Sequence, residues 1–147
     1  MIRIKDLKEW KGETFSFFHL TFDVEKAIEL VKNGKHDIQR IDVKKNAPTI
    51  LNFQKDIKGN ILWTEKDKRA ALKRDKQITM NLGTGFDLDH YMKTNVNEPG
   101  IVATYQGNPI LIDGNNRLAK AYKLGIKFFR VYILTEKETK SIMKKNL

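Results

Sequence analysis

The sequence of 147 residues contains no cysteine, only three prolines and no long apolar run. Without cysteine, the chain can form no disulfide, no thiolate zinc site and no cysteine nucleophile. No stretch approaches the ~20 apolar residues that span a bilayer. The N-terminal residues also lack the apolar segment of a signal peptide. We therefore expect a cytoplasmic protein without a membrane partner.

The composition fits a globular protein with an anionic partner. Hydrophobic residues make up 40% and charged residues 31% of the chain, as in soluble folded proteins. The length fits one domain over residues 1–147 that can bury a core. The net charge is +10. Residues 101–147 contribute +6 of this charge, because they contain nine basic and three acidic residues. Such a charge favours nucleotides, nucleic acids or acidic surfaces as partners, although it also serves solubility alone.

A strand that leads directly into a helix is predicted near the C-terminal third of the chain. The apolar run Pro109–Ile112 stops at Asp113 and Gly114, and a helical pattern follows at once. Asn115 is well placed as the N-cap of this helix. Gly125 stands where a left-handed residue would end it.

The two faces of this helix can be assigned from residue spacing. Leu118, Ala121 and Tyr122 lie at positions i, i+3 and i+4, which predicts a buried stripe. Lys120 and Lys123 are predicted to lie on the opposite, solvated face.

The start of the same helix is a candidate phosphate site. The backbone N–H groups of Asn115, Asn116 and Arg117 and the positive end of the helix dipole favour an anion there. The Arg117 guanidinium adds a charge-assisted and bidentate donor, and the two asparagine amides could donate to the phosphates or to a base. Asp113 could orient a magnesium ion or act as an acid or base, although an aspartate here also simply forms turns. The alternative is a well-capped junction after Gly114 that binds nothing.

Asp-Gly-Asn-Asn-Arg-Leu-Ala-Lys-Ala, residues 113–121, resembles the Gly-x-x-Arg phosphate-binding motif of the ParB/sulfiredoxin superfamily. The resemblance extends over about residues 100–135 and is greatest to members with Asp-Gly-x-His-Arg. It implies a single α+β domain, a small mixed sheet with packed helices. It also implies that Gly114, Asn115, Asn116 and Arg117 hold the phosphates of a nucleotide.

The resemblance leaves the reaction open. It implies a nucleoside triphosphate such as CTP or ATP, bound with magnesium, and it is compatible with a hydrolase, a kinase or a nucleotide-dependent switch. Asn116 stands where many members have His or Arg. The missing cysteine excludes sulfiredoxin-type repair, and we expect no helix-turn-helix domain after residue 135. The Lys-, Asn- and Ile-rich composition further suggests an origin in a phage or mobile element.

A second class of function also fits the sequence. The chain could be a nucleic-acid-binding or partner-binding module, or a ParB-like nuclease, that uses its basic surface without nucleotide chemistry. A charged helix from Thr64 to about Lys76 carries six cations, although most such helices are solvated faces. We expect any nucleic-acid binding to be non-specific and electrostatic.

Two further patterns could have a role in chemistry. Asp87, Asp89 and His90 form a carboxylate–imidazole cluster that could bind a metal or exchange protons. The competing interpretation is that Asp87 caps a short helix through Met92, with His90 and Tyr91 half-exposed, and we predict no metal site. The loop 83–85, Gly-Thr-Gly, is a weak phosphate signal and is more typical of a turn.

The remaining elements are predicted from caps, breakers and periodicity. A helix capped by Asp23 runs to about Lys32, and a helix capped by Thr135 has Ile142 and Met143 on its inner face. The extended segments are 38–43 continuing to near Pro48, 49–53, 61–63, the hairpin 101–112 with its turn at Gly107 and Asn108, and 127–134.

Overall fold

The computed structural model describes residues 14–17, 19–76 and 86–145. The strands are β1 (Thr14–Phe17), β2 (Leu20–Asp23), β3 (Ile38–Asp42), β4 (Gly100–Tyr105), β5 (Asn108–Asp113), β6 (Phe128–Ile133) and β7 (Met143–Lys145). The helices are α1 (Val24–Asn33), α2 (Val43–Leu51), α3 (Glu65–Asp75), α4 (Asn115–Lys123) and α5 (Glu136–Ser141), with a 3-10 helix at Tyr91–Lys93. The predicted α+β class is confirmed. In these ranges no helix combines the length and the apolar character needed to cross a membrane.

The chain forms two compact units. The first comprises Met1–Ile41, Asn97–Gly114 and Phe129–Leu147, and it holds both sheets with α1 and α5. The second comprises Asp42–Val96 and Asn115–Phe128, and it holds α2, α3, the 3-10 helix and α4. The assignment of residues 1–147 to one domain stays a prediction.

The first unit contains a small mixed sheet, as predicted, and a smaller antiparallel one. The mixed sheet has the order β3-β6-β4-β5, with β4 antiparallel to β5 and parallel to β6. The other sheet has the order β1-β2-β7. The predicted hairpin is confirmed, but its turn, predicted at Gly107 and Asn108, lies one residue earlier. Gln106 (φ 51°) and Gly107 (φ 78°) join the two strands, and Asn108 is already the first residue of β5. Two positive φ values are typical of a turn that matches strand twist.

Capped helices cover the core of the first unit. The Asp23 carboxylate accepts a hydrogen bond from Lys26 N–H (3.0 Å), which confirms the predicted start of α1. Thr135 and Glu138 form a full capping box at the start of α5. The terminal helix is shorter than predicted, because the chain after Ser141 forms β7, in which Met143 pairs with Phe22 of β2. Ile142 and Met143 are buried as predicted, but beyond the end of the helix. The buried cluster consists of Leu20, Phe22, Ala27, Ile101, Ala103, Ile110, Ile112, Leu134, Ile142 and Met143.

The second unit begins with a helix where we predicted extended chain. The Asp42 carboxylate accepts a hydrogen bond from Lys45 N–H (2.9 Å) and caps α2. Pro48 lies inside the helix and does not end it. Val43, Ala47 and Leu51 are buried at i, i+4 and i+8, so the packing of one helical face outweighs the proline. The predicted strand 49–53 is therefore wrong.

Residues 61–63 are not a full strand either. Ile61 forms only an isolated bridge with Lys55 around the turn at Gly59. The Thr64 hydroxyl then accepts a hydrogen bond from Asp67 N–H (3.0 Å), which confirms the predicted start of α3.

Candidate functional site

The candidate phosphate site lies where the chain passes from β5 into α4. Gly114 has φ 102°, a conformation that glycine adopts without strain. The helix begins at Asn115, so Gly114, and not Asn115 as predicted, occupies the N-cap position. Asn115, Asn116 and Arg117 form the first turn, where backbone N–H groups point out of a helix start. Glycine is an accepted N-cap residue, so the sequence is consistent with this start.

The end of α4 is fixed as predicted. Gly125 has φ 73°, Ile126 N–H donates to the Ala121 carbonyl (2.9 Å), and Gly125 N–H donates to the Tyr122 carbonyl (3.2 Å). These two bonds are the Schellman pattern at a helix C-terminus. Within the second unit, α4 packs against α2 and the 3-10 helix.

The predicted faces of α4 are partly correct. Leu118 and Ala121 are fully buried, and Tyr122 is half-buried. Lys123 is exposed as predicted, with Nζ 4.6 Å from the centre of the Trp63 ring. The predicted solvated position of Lys120 is wrong: its Nζ donates to the Thr94 carbonyl (2.6 Å), because α4 turns this side towards the chain after the 3-10 helix.

Asn116 connects the helix start with the predicted acidic cluster. Its side-chain carbonyl accepts a hydrogen bond from Asp87 N–H at 2.6 Å. The amide nitrogen on the same side chain is a donor. The structure therefore places Asp87 and the first turn of α4 next to each other, although they are 29 residues apart.

Asp87 and His90 form an exposed pair beside this contact. His90 Nδ1 lies 3.0 Å from Asp87 Oδ1, and the two side chains are 63% and 55% exposed. The hydrogen bond from His90 is the main reason why the pKa of Asp87 is lowered. Because Nδ1 of His90 contacts Asp87, Nε2 is the other ring nitrogen that can carry a proton.

Asp89 and Tyr91 have different roles. Asp89 Oδ1 accepts a hydrogen bond from Glu65 N–H (3.2 Å), so it supports the start of α3. Tyr91 is buried and not half-exposed as predicted, and its burial raises the pKa of its hydroxyl. Within the described part of the chain, no group of three or more His, Asp or Glu side chains is placed to hold a metal ion.

The other predicted residues lie elsewhere or outside the description. Asp113 is half-buried at the end of β5, opposite Ile101 on β4. Arg117 is half-buried in the first turn of α4. The loop 83–85 lies outside the described residues.

An aromatic cluster in the second unit was not predicted from the sequence. The rings of Phe53, Trp63, Phe86, Tyr91 and Tyr122 lie with centroids 5.0–6.1 Å apart in neighbouring pairs. Such separations are favourable for tilted and edge-to-face contacts. The only sequence signal was the placement of Tyr122 on the inner stripe of α4. The other rings come from loops and short turns, where periodicity gives no information.

Comparison of the chain with protein-family models, curated proteins and solved structures yields no match. Membership of the ParB/sulfiredoxin superfamily therefore stays a prediction from residues 113–121.

Proposed function

We propose that this protein is a nucleotide-binding domain of the ParB/sulfiredoxin type, in which the first turn of α4 holds the phosphates of a nucleoside triphosphate. Three donors support this proposal: the N–H groups of the turn, the Asn116 amide and the Arg117 guanidinium. Arginine suits this role because its planar group can donate two parallel hydrogen bonds to one phosphate.

The observation that carries the proposal is the hydrogen bond from Asp87 N–H to Asn116. This hydrogen bond holds Asp87, whose carboxylate pairs with His90, next to the first turn of α4, which carries the proposed phosphate motif. A histidine held by a carboxylate can take a proton from an attacking water or hydroxyl group. Nucleotide hydrolysis, with His90 as the base and Asp87 as the group that orients it, is the reaction that this pair would best support.

Magnesium fits this proposal through the nucleotide. Mg²⁺ is commonly held by one or two carboxylates together with substrate phosphates. Asp87 carries one carboxylate, and its backbone N–H contacts Asn116 in the first turn of α4. When bound, the ion would neutralise charge on the phosphates. Asp113, at the end of β5, stays a candidate for the same task.

A thermal-shift screen with CTP, ATP, GTP and ADP, each with and without magnesium, tests the proposal. A ligand that binds only the folded state stabilises it, by about 2.7 kcal/mol at a concentration of 100 times Kd. We expect one triphosphate to raise the melting temperature, and magnesium to increase the shift. No shift with any nucleotide at millimolar concentration would reject the proposal.

The exposed face of α3 favours a second candidate, a nucleic-acid-binding or partner-binding module. Its exposed cations are Lys66, Arg69, Lys73 and Arg74, and exposed Lys76 follows directly after its end, whereas Ala71 is its buried residue. Arg74 is paired with Asp56 and Asp75. Binding to duplex DNA or RNA at low salt should fade steeply as salt rises. Binding that persists in high salt and distinguishes sequences would make this candidate the leading one.

A further inference from the structure

The second unit contains a cavity of about 760 Å³ at the C-terminal end of α4. One wall is the start of α2, from Asp42 to Lys45, and the other is Tyr122 with the chain from Gly125 to Lys127. This volume lies within the range of small-molecule sites, roughly 300–1,000 Å³.

The walls of the cavity are fixed relative to each other. Val43 N–H donates to the Lys127 carbonyl (2.9 Å) and joins the two sides. The Schellman bonds described above hold Gly125 and Ile126 at the end of α4. The Tyr122 ring lies 5.1 Å from the Phe53 ring in the aromatic cluster. A ligand would therefore meet a largely preformed surface, which lowers the cost of binding.

The cavity combines an apolar surface with positive charge. Half-buried Tyr122 and Ile126 line the cavity and are the source of the apolar surface, above a nearly fully buried Val43. Lys44, Lys45 and Lys127 line the same space and are exposed.

One carboxylate also lines the cavity, and it already has a structural role. Asp42 Oδ1 accepts the Lys45 N–H as the cap of α2. Because three lysines and only this one carboxylate line the cavity, the charge around its apolar surface is positive.

We propose that this cavity binds a small organic anion, a ring compound that carries a carboxylate, sulfonate or phosphate group. The ring would contact Tyr122 and Ile126, and the anionic group would lie among the lysines. The site is separate from the proposed phosphate site, because the two lie at opposite ends of α4, a nine-residue helix that spans roughly 13 Å. The proposal therefore does not depend on nucleotide binding.

A matched pair of fluorescent probes tests the proposal on the full chain. 1-Anilinonaphthalene-8-sulfonate carries the anionic group, and N-phenyl-1-naphthylamine is the same ring system without it. We expect one sulfonate molecule to bind per chain, with an affinity at least fivefold higher than that of the neutral amine. Equal affinity for the two probes, several sites per chain or no binding would each overturn the proposal.

Substitutions locate the bound probe. Lys45→Ala and Lys127→Ala should each weaken sulfonate binding by up to about fivefold, the upper end for an exposed ion pair, and leave the amine unaffected. Ile126→Ser should weaken both probes. Arg69→Ala is the control, since Arg69 is an exposed cation on α3 that does not line the cavity. Circular dichroism confirms that each variant is folded. If Arg69→Ala weakens sulfonate binding as much as the two lysine substitutions, the binding is diffuse and the proposal is wrong.

Discussion

Replacing Leu118 by alanine should cost about 2–5 kcal/mol of unfolding free energy. Leu118 is 0% exposed, and α4 packs against α2 and the 3-10 helix in the second unit. Truncation of a fully buried leucine removes its transfer free energy and leaves a cavity that the neighbours fill only in part. The cost should be towards the upper end of this range if α2 and α4 are held too firmly to collapse.

Leu124→Ala is the matched control, because Leu124 follows the same helix and is 53% exposed. Its substitution should change stability by less than about 0.5 kcal/mol. Urea denaturation of the wild type and both variants, fitted with one common m-value, measures the change in unfolding free energy for each variant. A loss below about 0.5 kcal/mol for Leu118→Ala, or equal losses for the two variants, would show that the assigned face of α4 is wrong.

Two further predictions concern the first unit. Gly100→Ala should cost about 1–3 kcal/mol, the range for overpacking, because the new Cβ would lie 2.7 Å from the Asp113 carbonyl and 3.0 Å from the Phe129 ring; a loss below 0.5 kcal/mol by urea denaturation would contradict this. Glu138→Gln should reduce the loss of unfolding free energy that the wild type shows at acidic pH. Burial raises the pKa of Glu138, but hydrogen bonds from Thr135 and His36 outweigh it and lower the pKa below 4.5. This stabilisation is complete above pH 4.5 and is lost as the pH falls through the lowered pKa; identical pH profiles for variant and wild type between pH 7 and 3 would refute the assignment.

Local signals were sufficient to predict the run from β4 to β6. The hairpin was predicted with its turn one residue too late, and α4 ends, as predicted, at Gly125, which adopts the left-handed conformation. Apolar residues at helical spacing gave Leu118 and Ala121 correctly as buried. Each of these features depends on residues close together in the sequence, so the order of elements followed from the sequence.

The errors arose where tertiary contacts outweigh local preference. Pro48 suggested a boundary, but the buried face of α2 keeps the helix intact. Lys120 has a polar side chain on a predicted outer face, yet its Nζ reaches the Thr94 carbonyl. His36 gave no sequence signal, and its Nε2 lies within hydrogen-bond distance (2.6 Å) of the carboxylate of Glu138, 102 residues away.

At the candidate site, the helix start was predicted from the sequence, whereas its role in phosphate binding stays a prediction. The phosphate motif was assigned to the start of α4 from residues 113–117, and the structure places a helix start there. The contact of Asn116 with Asp87 could not be predicted, because nothing in the sequence gives the path of the chain between α3 and the 3-10 helix. The aromatic cluster was missed because most of its rings come from loops and short turns, where periodicity gives no information.

Titration calorimetry of Arg117 variants tests the central claim most directly. The ligand is the nucleotide that gives the largest thermal shift, and the proteins are the wild type, Arg117→Ala, Arg117→Lys and Arg69→Ala. If the first turn of α4 binds phosphate, Arg117→Ala should lose about 1.5–3 kcal/mol of binding free energy, the range for hydrogen bonds to charged groups. Arg117→Lys should lose less, since lysine keeps the charge without the planar group. Arg69→Ala should bind like the wild type; equal losses for Arg117→Ala and Arg69→Ala, or no binding by the wild type, would contradict the account.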